Sequence, residues 1–137
     1  MTSLTDTPAS PSGGRDALLL VARLLLAALF VLAGLSKLGT AESTTAYIAS
    51  AGLPMPDLLY YATIAIEVVG GLLLIAGYKT RYAALALGAF CIAAAAIFHK
   101  DFADQIQITM FLKNLAIAGG MFALATSGPG RFSIDRG

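Results

Sequence analysis

Two apolar runs set the fold: Leu58–Tyr78, LLYYATIAIEVVGGLLLIAGY, and Tyr82–Phe98, YAALALGAFCIAAAAIF, with only Lys79-Thr80-Arg81 between them. A hydrocarbon core of about 30 Å is crossed by roughly 20 helical residues, so each run reads as a transmembrane helix. The short polar turn forces the two helices to be antiparallel neighbours. Moving outward, the same signal recurs in Ala17–Ser36 and Ile106–Ala125. The sequence therefore predicts an all-α membrane protein, a four-transmembrane-helix bundle.

Composition supports that class. Of 137 residues, 58% are hydrophobic and 12% charged, whereas soluble domains carry about 25% charged residues. Four spans leave no material for a separate soluble domain, so any site must lie inside the bundle or at its rim. The predicted organisation is a disordered cytoplasmic tail over 1–15, the four-helix domain over 16–127 and a cytoplasmic C-terminal tail over 128–137. Residues 1–14 are rich in Thr, Ser, Pro and Gly and lack an apolar period. They also lack the basic start of a signal peptide, so the first span is expected to be retained. Ser127-Gly128-Pro129-Gly130 stops the last helix.

The connection from Leu38 to Asp57 predicts a short helix, Ala41–Ala51, with Thr40 as its N-cap. Gly52 ends it, and Pro54 and Pro56 bar its continuation. With Tyr47, Ile48 and Ala51 along one side, it is expected to lie amphipathically on the outer surface and cap the bundle mouth. An ordinary ordered loop is the alternative. Arg15, Lys79, Arg81, Arg131 and Arg136 fall on one side of the four spans, and Lys37 and Lys100 on the other. The positive-inside rule then predicts a multi-pass protein with both termini in the cytoplasm.

Several chemistries are disfavoured by residue type. Cys91 has no second cysteine to pair with, and it reads as a small core residue. One histidine excludes an intrachain bis-histidine haem, and no His, Cys and carboxylate cluster resembles a transition-metal site. No nucleotide-binding loop or nucleic-acid signature is present.

Three spans carry an ionisable residue well inside: Arg23, Glu67 and Lys113. Such a group costs at least a few kcal/mol in hydrocarbon and normally turns toward a partner or a wet cavity. Counted at a rise of about 1.5 Å per residue, Glu67 and Lys113 lie at matching depth below the outer boundary. Arg23 starts nearer the cytoplasmic side, with a side chain long enough to reach toward Glu67. Glu67 is thus expected to approach Lys113 or Arg23. Gly70 and Gly71 beside it remove bulk, so that a helix or a ligand can come close. Lys37 at a span end suits snorkelling to the interface, and His99 is an interfacial residue or a proton-transfer group. Lys37, Glu67, His99, Gln107, Lys113 and Asn114 belong to the outer half, and a ligand site lined by them is predicted there. A buried ion-pair network that only fixes helix register is the competing reading.

In order along the chain stand the Arg23 span ending Ala33-Gly34-Leu35-Ser36-Lys37-Leu38, then Gly52-Leu53-Pro54-Met55-Pro56 and Glu67-Val68-Val69-Gly70-Gly71. Gly77-Tyr78-Lys79-Thr80-Arg81, Phe111-Leu112-Lys113-Asn114-Leu115-Ala116 and Gly128-Pro129-Gly130-Arg131-Phe132-Ser133-Ile134-Asp135 follow. This ordered set resembles the DoxX family of small bacterial membrane proteins. The resemblance implies a four-span bundle in the bacterial inner (plasma) membrane. It also implies kinship with small subunits of quinone-linked oxidoreductases such as thiosulfate:quinone oxidoreductase, with membrane redox and oxidative-stress complexes, and more distantly with assembly or trafficking factors.

Two functions are therefore expected to compete. One is an accessory subunit of a quinone-linked redox complex, not a complete enzyme alone, with no intrinsic cofactor and a quinone as ligand. In it Lys113, Asn114 and Gln107 would donate to a carbonyl, Glu67 or His99 would exchange protons, and a partner subunit would supply electrons. The other is a non-enzymatic membrane scaffold or assembly factor. A transporter or channel would need oligomerisation. Expected partners are the lipid bilayer, a membrane redox subunit and a second copy of the chain, with no nucleic acid.

Overall fold

A computed structural model describes residues 13–136. The tail expected to be disordered lies outside the described residues except for Gly13, Gly14 and Arg15, which already belong to the first helix. The described residues form α1 (Gly13–Lys37), α2 (Ala41–Ser50), α3 (Pro56–Ala76), α4 (Thr80–Phe98) and α5 (Gln105–Ser127). All but α2 are long and apolar enough to cross a membrane. The fold is the expected all-α four-span bundle.

Helix boundaries follow from local chemistry. Pro56 occupies the first turn of α3, where its missing N–H costs nothing. Gly77 ends that helix at φ +66°, and the amide of Tyr78 reaches back to the Leu73 carbonyl, so the α3 carbonyls remain satisfied. At the start of α5 the Asp104 carboxylate accepts from the Ile106 amide at 2.9 Å. Thr40 does occupy the N-cap position of α2, but its side chain makes no capping bond. Its hydroxyl instead lies 3.0 Å from that of Thr44.

In the bundle α1 packs on α3, α3 on α4 and α4 on α5, while α1 and α5 touch only lightly. Gly71 permits the α1–α3 approach, since a Cβ there would stand 2.6 Å from Val31 Cγ2 and 3.2 Å from the Ala27 carbonyl oxygen. The bulk removed beside Glu67 thus serves helix packing. Ala27, Leu74, Leu87 and Met121, all fully buried, knit the four spans together.

The segment after α5 folds back over the end of the bundle where α1 begins and α5 ends. Gly128, Pro129 and Gly130 are buried. The Arg131 amide donates to Asp16 of α1, and the amides of Ile134 and Asp135 donate to the carbonyls of Ala76 and Gly77. The Asp135 carboxylate in turn accepts from the amides of Lys79 and Thr80, both at 2.9 Å, and so caps α4 from a remote segment. Residues 128–136 are a clasp across α1, α3 and the α3–α4 turn.

Candidate functional site

The half of the bundle under α2 is hollow. A cavity of about 570 Å³ is walled by α1, α3, α4 and α5, and Thr44, Tyr47 and Ile48 of α2 roof it. The Tyr47 ring stacks on Phe98 with centroids 5.1 Å apart and its hydroxyl donates to the Phe98 carbonyl, which pins the roof to the end of α4. Phe30, Ile66, Phe90 and Ile117 make most of the lining apolar, and Cys91 shares it.

Into this surroundings project Lys37 and Glu67. Lys37 Nζ donates to Glu67 Oε1 at 2.7 Å, with 27% of the lysine side chain and 4% of the glutamate side chain exposed. Glu67 Oε2 is buried without a hydrogen-bond partner. The Tyr60 hydroxyl donates to the Lys37 carbonyl at 2.6 Å and so fixes the last turn of α1 from which the lysine springs.

This pairing corrects the expectation that Glu67 meets Lys113 or Arg23. Side chains on a helix lean toward its N-terminus. Lys37, near the C-terminus of α1, therefore leans down into the bundle rather than out to the interface. Glu67, on a helix running the opposite way, leans up toward it. For the same reason Arg23 leans away from Glu67. It lies fully buried at the other end, donating to the Leu74 carbonyl at 3.2 Å and to the Phe132 carbonyl of the clasp. Arg23 is not among the residues that line the cavity.

The remaining expected residues divide. Lys113 and Asn114 both reach the cavity wall, but Lys113 is exposed at the edge of the inward face of α5. Asn114 spends an amide N–H on the Met110 carbonyl at 3.1 Å. His99 also lines the cavity, and its Nδ1 lies 3.1 Å from Gln107 Oε1, which places Gln107 behind the histidine. Tyr60 was missed as a site residue, while the α2 roof is the cap over the bundle mouth that the sequence predicted. The spacing of Tyr47 and Ile48 was the signal for the roof, whereas nothing in the sequence pairs Tyr60 with Lys37.

Fold and site together define a four-span integral membrane protein with an internal apolar cavity that holds a lysine–glutamate pair. The chain belongs to the DoxX family, whose model matches residues 18–100, the stretch containing Lys37, Glu67 and His99. It is 40% identical over 121 residues to the Escherichia coli inner membrane protein YqjF, covering 88% of this chain and 92% of that protein. To the E. coli inner membrane protein YphA it is 35% identical over 127 residues, covering 89% and 91%. It is thus an integral inner-membrane protein. No solved structure matches.

Proposed function

We propose that the chain binds a lipid-soluble carrier of the quinone class in the cavity under α2, as an accessory subunit of a quinone-linked redox complex. One observation carries the reading: a lysine–glutamate pair projects into a mostly apolar cavity of about 570 Å³. Mostly apolar pockets of about 300–1,000 Å³ with a few convergent polar groups suit small ligands. A ring with polar substituents and an isoprenoid tail has that character. One histidine and one cysteine give the chain neither a bis-histidine haem nor a dithiol, so electrons would come from a partner subunit. In this reading the termini face the cytoplasm and the cavity occupies the outer half of the membrane.

The test is thermal unfolding of the purified chain in lipid nanodiscs, titrated with a short-tailed ubiquinone analogue. A saturable rise in melting temperature is expected, and it should vanish when Ala94→Leu fills the cavity. No rise with either the oxidised or the reduced analogue would overturn the reading.

A further inference from the structure

We infer that the cavity takes the hydroxyl-bearing, reduced form of its ligand, the quinol, in preference to the dicarbonyl quinone. This rests on the quinone-class reading above. The argument comes from which polar atoms of the cavity are already used. Asn114 donates one Nδ2 hydrogen to its own helix, at the Met110 carbonyl, which leaves Oδ1 as an acceptor beside a second N–H. His99 Nδ1 faces the Gln107 amide oxygen, which only accepts, so this contact suits the Nδ1–H tautomer, whose Nε2 carries a lone pair. Glu67 gives Oε1 to Lys37, while Oε2 is buried with no partner.

A carboxylate opposite an ammonium can only accept. The terminal torsion of a glutamate is broad and roughly two-fold, so a modest turn presents Oε2 to the cavity without disturbing the helix. Asn114, His99 and Glu67 all line the same cavity, and each keeps a lone pair that no protein donor is shown to fill. An acceptor in apolar surroundings is costly until a donor meets it. Hydroxyl groups supply that donor. A carbonyl placed against these atoms sets lone pair against lone pair, and it must turn to the spare N–H groups of the lysines and of Asn114 or to the hydroxyls of Thr44 and Thr63, none of which satisfies Glu67 Oε2.

The experiment compares three ligands on the full chain in nanodiscs under anaerobic, reducing or oxidising conditions as required: a short-tailed ubiquinol, the matching ubiquinone, and the quinol dimethyl ether. The ether keeps ring, oxygens and tail but cannot donate. The quinol is expected to bind about tenfold or more tightly than either of the others, the size expected when a buried acceptor gains or loses its donor. Glu67→Gln should reduce that preference. If the variant does not fold, the ether comparison on the unaltered chain still decides. Equal or tighter binding of quinone or ether would overturn the inference and leave the pocket reading standing. Binding of none of the three would overturn both.

Discussion

Removing the Lys37 ammonium strands the Glu67 carboxylate in an apolar wall, whereas removing both charges leaves nothing to satisfy. Breaking a buried pair costs roughly 3–5 kcal/mol, and with 27% of Lys37 exposed we expect the lower end, about 3 kcal/mol, for Lys37→Met. The double variant Lys37→Met/Glu67→Met should melt above the single variant. Unfolding in nanodiscs measures both, and a double variant less stable than Lys37→Met would refute the coupling. At the other end, Arg23→Met removes donors from the Leu74 and Phe132 carbonyls. A loss of roughly 2–3 kcal/mol is expected for bonds from a charged donor, read in the same assay. The sequence made Arg23 and Glu67 conspicuous because charge in hydrocarbon is rare. It did not reveal their partners, because counting depth along straight helices ignores the lean of side chains toward each helix N-terminus. That lean separates Arg23 from Glu67 and brings Lys37 to it.

The start of α4 depends on an aspartate that follows α5. Partial burial pushes the Asp135 carboxyl up, but the amides of Thr80 and Lys79 and the nearby Arg23 guanidinium outweigh it and hold the group below its ordinary value of 3.8. A group whose folded pKa is depressed contributes stability in full above its unfolded pKa and loses it as pH falls through the folded value. The melting temperature should therefore drop as pH is lowered below about 4, and Asp135→Asn should flatten that limb. Circular dichroism melts across the acid range test this. Gly77→Ala should destabilise the same junction, since its φ of +66° disfavours a side chain and the new Cβ would collide with Arg23 and Ser133. Limited proteolysis of residues 128–136 should quicken in that variant. Spans and turns were legible from apolar length and from glycine and proline. The clasp was not, because a Gly- and Pro-rich polar stretch looks like a tail until the amides and carbonyls it satisfies are seen.

For the whole molecule, the positive-inside rule, applied to five basic residues at one end against two at the α2 end, predicts termini in the cytoplasm. In a Cys91→Ala background, a membrane-impermeant maleimide should label Ser43→Cys in intact cells and should reach Arg136→Cys only after lysis. The reverse pattern would invert the topology and turn the cavity toward the cytoplasm. Architecture was readable at this scale because bilayer thickness fixes span length, and a site in the outer half was expected from its polar residues, of which Lys37, Glu67, His99, Lys113 and Asn114 line the hollow, whereas the volume itself leaves no mark on hydropathy. The clasp also bears on biogenesis. Phe132, whose carbonyl receives the Arg23 guanidinium, is synthesised 109 residues after it. When the ribosome delivers the first span to the translocon, its arginine enters without that partner. Lasting integration of the first helix is then tied to the last stretch translated, and a nascent chain stalled before residue 128 would present quality-control proteases with an uncompensated charge in its leading span.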